Sequence, residues 1–272
     1  MHFRIRHHTA YTYSKEVMLG PQHLYFYPAA RNYLSLKKFE IKVTPSSFGL
    51  AQRMDAENNL YHQAWYNDQI KSVEIDVEIQ IETVELNPFN FIIESQPKTD
   101  HVEALEIYKK LIPLDQDLRD WVDHIAGQTG AEILTFTTFL NKEIKSKWGH
   151  QVNYEANLMS PNECFQVDNG SCRDLSWMMI QMLRFKNIPA RFVSGYAHNP
   201  ELSEGHELHA WVEAWFDGAG WVGLDPSAGV LATHNHIPVC TSYHPSNTFP
   251  VQGSFFGDAK SKLETTVTID LI

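Results

Sequence analysis

From Val73 to Ile81 the chain reads Val-Glu-Ile-Asp-Val-Glu-Ile-Gln-Ile, apolar at every odd position and polar at every even one. Strand side chains alternate between two faces, whereas neighbours on a helix face recur every ~3.6 residues, so this stretch must be a strand. One of its faces lies in a core and the other in water. The same two-residue period returns in residues 2–6, 11–13, 24–27 and 39–43. Turn chemistry separates these runs: Leu-Gly-Pro at 19–21, Thr-Pro-Ser-Ser at 44–47 and Asp-Ala-Glu-Asn-Asn at 55–59. Residues 1–92 therefore read as an N-terminal antiparallel β-sandwich domain.

Beyond breaks at Asn87-Pro88 and at 96–100, the period changes to that of helices. Leu118, Trp121, Val122 and Ile125 mark one helix, with Gly127 at its expected stop. Ile133, Phe136, Leu140 and Ile144 mark a second. A third begins at Cys172, with Leu175, Met179, Met182 and Leu183 as its buried stripe. It must end at Asn187-Ile188-Pro189, because proline disfavours a helical residue before it. Period two then resumes at 190–196 and 209–216, and a turn at 217–220 leads into 221–225 as a hairpin. Residues 263–272 give one more strand. Helices followed by strands make residues 93–272 an α+β domain and not a repeating βαβ sheet.

Of the residues, 43% are hydrophobic, enough for two packed cores, and 22 Lys+Arg against 33 Asp+Glu leave a net charge of −11. An acidic chain without a basic run has little to offer a phosphate backbone, so no nucleic-acid partner is expected. The three cysteines, Cys164, Cys172 and Cys240, form no disulfide framework and read as reduced thiols. The N-terminus alternates and lacks a signal-like apolar run, and no stretch reaches the ~18 apolar residues of a membrane span. A cytoplasmic protein with no membrane partner is the expectation.

The sharpest local feature is Asn169-Gly170-Ser171-Cys172-Arg173-Asp174. Ser171 with Asp174 three residues on is a shortened capping box, which makes Cys172 the first helical residue. There the helix dipole and unpaired N–H groups favour the thiolate, the reactive form, and the Cys172 N–H could hold an oxyanion. On the strand 209–216, His209 shares a face with Trp211, Glu213 and Trp215, and Asp225 lies on the partner strand. For His209 and Asp225 to face the same side, the pairing must have an even residue sum, for example 209 opposite 227. That requires an odd-length loop or a bulge near 217–220. Thiolate, imidazole and orienting carboxylate are the general form of a nucleophilic triad.

At these residues the sequence resembles the transglutaminase-like superfamily. The resemblance is carried by residues 170–175, by Ile-Pro-Ala-Arg-Phe-Val-Ser-Gly-Tyr at 188–196, by His-Ala-Trp-Val-Glu at 209–213 and by Gly-Trp-Val-Gly-Leu-Asp-Pro at 220–226. The N-terminal part is similar to the β domain of many bacterial members, notably at Arg4-Ile5-Arg6-His7 and Leu19-Gly20-Pro21. The resemblance implies a papain-like core with Cys172 as nucleophile, His209 as base and Asp225 as its orienting partner. It also implies thioester chemistry on a peptide or protein amide, with no cofactor. Water would complete hydrolysis, the favoured outcome, and an amine would complete transamidation. Many relatives carry Arg-Asp-Tyr where this chain has Thr241-Ser242-Tyr243-His244, so a pocket shaped by that segment would differ. Gln166, shortly before the nucleophile, is a second oxyanion candidate. Trp148, Tyr154 and Trp211 are candidates for a substrate groove, although core packing explains aromatic residues equally well.

Other chemistries fit less well. The late histidines, His198, His206, His209, His234, His236 and His244, lack Cys-x-x-Cys partners. His206-Glu207-Leu208-His209 is one residue short of H-E-x-x-H, so no metal is expected. Gly253-Ser254-Phe255-Phe256-Gly257 lacks the spacing of a serine-hydrolase elbow. A non-catalytic binding module would be the alternative of another class, and a broken triad would be its mark.

Overall fold

The computed structural model describes residues 1–94, 103–130, 132–150, 157–198 and 208–272. Its N-terminal part consists of β1 (His2–Leu19), β2 (Gln22–Leu24), β3 (Leu34–Thr44), β4 (Gly49–Met54), β5 (Leu60–Trp65) and β6 (Ile70–Thr83). Strands β1, β6 and β3 lie side by side and antiparallel in one sheet, and β2, β5 and β4 in another. The alternation in β6 holds: Val73, Ile75, Val77, Ile79 and Ile81 are all buried, while Glu74 and Asp76 are exposed.

The α+β part contains α1 (Gln116–Thr129), α2 (Ile133–Lys147), β7 (Gly149–His150), α3 (Pro161–Val167), β8 (Asn169–Gly170) and α4 (Cys172–Phe185). A second series of strands follows: β9 (Ala190–Ala197), β10 (Leu208–Phe216), β11 (Gly220–Asp225), β12 (Val230–Leu231) and β13 (His236–Ser242). These five form one sheet in the order β12-β11-β10-β9-β13. Helix α1 runs through Gly127 and stops at Gly130, whose φ of 69° is the left-handed conformation that glycine tolerates best. Helix α4 ends as expected, with Asn187 at φ 58° ahead of Ile188-Pro189. Its buried surface is wider than the predicted stripe: every residue from Asp174 to Arg184 is buried. The helix is a central rod and not an amphipathic surface helix.

One strand belongs elsewhere than its sequence position suggested. The chain's last strands, β14 (Val251–Gln252), β15 (Phe255–Phe256) and β16 (Ser261–Leu271), return to the N-terminal sheets. Strand β16 runs antiparallel to β1, from Phe3 opposite Leu271 to Tyr13 opposite Ser261. Alternation identifies a strand but not its partner, which is set by contacts distant in sequence. The N-terminal domain is thus completed by the C-terminus.

The five-stranded sheet is covered on both faces. Ala210, Val212, Ala214 and Phe216 of β10 pack with α1, α2 and α4 in one apolar core. Tyr196, Ile237 and Val239 from β9 and β13 join the core of the N-terminal sheets. Polar ties cross the same junction. The buried Glu213 carboxylate accepts from Arg31 Nη2 at 2.7 Å and from Arg191 Nε at 2.8 Å. Burial opposes its charge, but the Arg191 and Arg31 guanidinium groups hold its pKa below the ordinary value. Asn59, in the turn predicted at 55–59, exchanges hydrogen bonds of 2.8 Å with the Thr241 backbone. No helix among the described residues is long and apolar enough to cross a membrane.

Removing one partner of a buried ion pair leaves charge uncompensated and costs about 3–5 kcal/mol. Glu213→Ala strands two arginines between the domains and is expected to lower unfolding free energy by about that amount in urea denaturation. A loss below about 1 kcal/mol, the range of an exposed pair, would contradict this account of the junction.

Candidate active site

The site is assembled at the start of α4. Ser171 sits in extended conformation and its Oγ accepts from the Asp174 backbone N–H at 3.4 Å. Asp174 Oδ2 in turn accepts from the Ser171 N–H at 2.9 Å and from Ser171 Oγ at 2.6 Å, which completes the capping box. The other oxygen, Oδ1, accepts from the Met159 N–H at 2.9 Å. Such caps satisfy N–H groups that a helix start otherwise leaves without partners. Cys172 is therefore fixed as the first helical residue. Gly170 allows the close approach, since a Cβ there would lie 3.1 Å from both Asp174 Cβ and Cys164 Sγ.

The hairpin that carries the other two residues has the parity that a His209–Asp225 contact requires. Val212 pairs with Leu224 and Phe216 with Gly220, and every intervening pair keeps the even sum that sets 209 against 227. The loop at 217–219 is odd in length, with Gly218 at φ 91° and Gly220 at φ 77° bounding its turn. His209 Nε2 consequently donates to Asp225 Oδ2 at 2.7 Å. Asp225 is buried and holds three further donors on Oδ1: Ser227 Oγ at 2.7 Å, Ser227 N–H at 3.0 Å and Ala228 N–H at 3.2 Å. His236 Nε2 donates to Oδ2 at 3.2 Å.

These contacts set the charges. Burial would favour neutral Asp225, but the His209 charge and the hydrogen bonds from His209 and His236 hold its pKa well below the ordinary carboxylate value. Burial would likewise discharge His209, but Asp225 and the Cys172 sulfur raise its pKa well above normal. Burial opposes a thiolate at Cys172, yet hydrogen bonds from His150, His209 and the Ala210 backbone N–H, with the His209 charge, bring its pKa down to about 6. Both shifts favour a thiolate–imidazolium pair over a neutral thiol and imidazole. The other cysteines go the opposite way. Burial, with carboxylates nearby, raises Cys164 to about 12 and also raises Cys240.

The remaining sequence candidates fall outside this cluster. Gln166 is exposed on the last turn of α3 and is not among the donors to the sulfur. Trp148 and Trp211 are each 1% exposed, so neither walls an open groove. Trp148 packs edge-on to Trp121, and its Nε1 donates to the Cys164 carbonyl at 3.0 Å. Trp211 packs edge-on to His236 and lies beside His209. Tyr154 and His206 lie outside the described residues. Among the other late histidines, His198 packs on Phe3, His234 accepts from the Leu86 N–H at 3.5 Å, and His244 accepts from the Ser246 N–H. The segment that replaces Arg-Asp-Tyr is held by Glu57, which accepts from the Tyr243 N–H, and by Arg184, which donates to the Tyr243 carbonyl.

Three contributors escaped the sequence reading, His150, the Ala210 N–H and Ser227, and His236 figures there only among the late histidines. Asp225-Pro226-Ser227 has the local form of an Asx turn, which offered a signal for Ser227. His150 and His236 offered none, since strand pairing brings each to the site. His209, Asp225 and His236 place one donor atom each within 4.8 Å of one another, a set that could take a metal ion. The same atoms are already joined by the two hydrogen bonds to Asp225 Oδ2, so the cluster is satisfied without one.

Residues 119–226 match the transglutaminase-like superfamily, and residues 3–82 match the bacterial transglutaminase-like N-terminal region. An uncharacterised protein of Mycobacterium leprae is 32% identical over 106 residues, which are 37% of this chain and 37% of that protein. The protein-glutamine gamma-glutamyltransferase of Pseudomonas aeruginosa is 37% identical over 70 residues, 23% of this chain and 10% of that one. The chain thus matches well under half the length of these curated relatives. The crystal structure of a candidate cysteine protease from Cytophaga hutchinsonii superposes with a TM-score of 0.72 at 16% identity, over 99% of this chain and 90% of that one, a likeness of fold. By its two matched regions, its fold and the motif around Cys172, the chain belongs to the transglutaminase-like superfamily, in the form that carries the bacterial N-terminal region.

Proposed function

We propose that the protein hydrolyses an amide of a peptide or protein through a Cys172 thioester. The observation that carries this reading is the contact of Cys172 with His209, whose other ring nitrogen is held at 2.7 Å by buried Asp225. In the reaction the thiolate attacks the carbonyl carbon, and the His209 imidazolium protonates the leaving nitrogen. The Cys172 N–H lies in the first turn of α4, where N–H groups have no partner within the helix, and it faces the developing oxyanion. Water, activated by the now neutral His209, then cleaves the thioester. Hydrolysis is favoured over transfer because His209 keeps 21% of its side-chain surface exposed and Cys172 is half-buried, so solvent reaches the reacting pair. The partial match to a protein-glutamine gamma-glutamyltransferase supplies the competing outcome, attack by an amine.

Two measurements test the proposal. Cys172→Ala is expected to abolish ammonia release from glutaminyl peptides, and wild-type protein given a primary amine is expected to form more acid than amine adduct. Full turnover by the alanine variant would remove the nucleophile, and adduct in excess of acid would replace hydrolysis with transfer. The pH profile follows from the shifted groups. The thiol pKa is lowered, so kcat/KM should rise as pH passes about 6 and Cys172 loses its proton. His209 is raised, so the imidazolium survives to higher pH and the alkaline fall comes only as it deprotonates. An acid limb at the free-thiol value, roughly 8.5, would contradict the ion pair.

A further inference from the structure

We propose that His150 is a second catalytic imidazole, donating to the Cys172 sulfur at rest and to the carbonyl oxygen once that sulfur has attacked. The proposal rests on the reading of Cys172 as the nucleophile. His150 comes to the sulfur by a route unrelated to His209. Strand β7 follows α2 and pairs in parallel with β8, with Gly149 opposite Asn169 and His150 opposite Gly170. Gly170 is followed directly by the cap Ser171 and then Cys172, so the register that ties β7 to β8 sets the imidazole beside the nucleophile. The His150 side chain hydrogen-bonds the sulfur there, as His209 does from β10. Unlike buried Asp225 and half-buried His209, His150 is exposed.

The chemistry needs a second donor. As the thiolate forms the C–S bond, the C=O electron pair moves onto oxygen. When the intermediate collapses, that pair returns, the C–N bond breaks, and the nitrogen takes its proton from the His209 imidazolium. His209 is therefore committed to nitrogen while the oxyanion still needs stabilising. The Cys172 N–H supplies one hydrogen bond, and Gln166 is exposed on the last turn of α3. His150 acts as a hydrogen-bond donor to the oxygen.

The test compares the full-length wild type with His150→Phe, which removes the donor, and His150→Gln, which restores an N–H. Each variant is checked for native circular dichroism. Iodoacetamide alkylation of Cys172 against pH should show the inflection moving up by about one unit in His150→Phe. On a blocked glutaminyl-glycine dipeptide, kcat should fall by about 10²-fold with little change in KM, the effect of losing one oxyanion donor. His150→Gln should recover about tenfold of that loss. If His150→Phe alkylates on the wild-type curve and keeps wild-type kcat, the role assigned to His150 is overturned. If the wild-type thiol itself titrates like a free cysteine, it is instead the nucleophile reading that fails.

Discussion

Everything at the site depends on one buried carboxylate. Asp225 accepts from His209, His236, Ser227 twice and Ala228, and a charge so enclosed persists only because its lone pairs are occupied. That arrangement fixes which nitrogen of His209 faces Asp225 and which remains for the sulfur. It also raises the pKa of the imidazole, and hydrogen bonds from His150 and His209, with the His209 charge, lower that of the Cys172 thiol. Helix α4 supplies the other half, because its capping box leaves no freedom in where the sulfur emerges.

The two halves come from distant parts of the chain, and the fold joins them through a sheet covered on both sides. The helices pack on one face of β10, and the N-terminal sheets pack on β9 and β13. Strand β13 brings His236 to the back of Asp225 while its far end is gripped by Glu57 and Asn59 from the N-terminal domain. The N-terminal domain thus holds the strand that supports the Asp225 carboxylate. The Arg31–Glu213–Arg191 cluster fastens β10 across the same junction.

Much of this was legible in the sequence because it is local. Period-two alternation gave the strands, the Ser171–Asp174 spacing gave the start of α4, and a His209–Asp225 pairing required an even-sum hairpin, which the strand register has. What escaped was non-local. Nothing near residues 263–272 says that this strand pairs with β1, and nothing near His150 or His236 names Asn169-Gly170 or β9 as the neighbouring strand. Trp148 shows the limit of residue type as a guide: an aromatic beside the motif was as consistent with a groove as with the core, and burial decided for the core.

The central claim is that Cys172 is a thiolate paired with His209 near neutral pH. Thiolate absorbance near 240 nm, followed against pH as the difference between wild type and Cys172→Ser, tests it most directly. The account predicts a step at about pH 6. A step in the range of a free thiol, roughly pH 8.5, would contradict it.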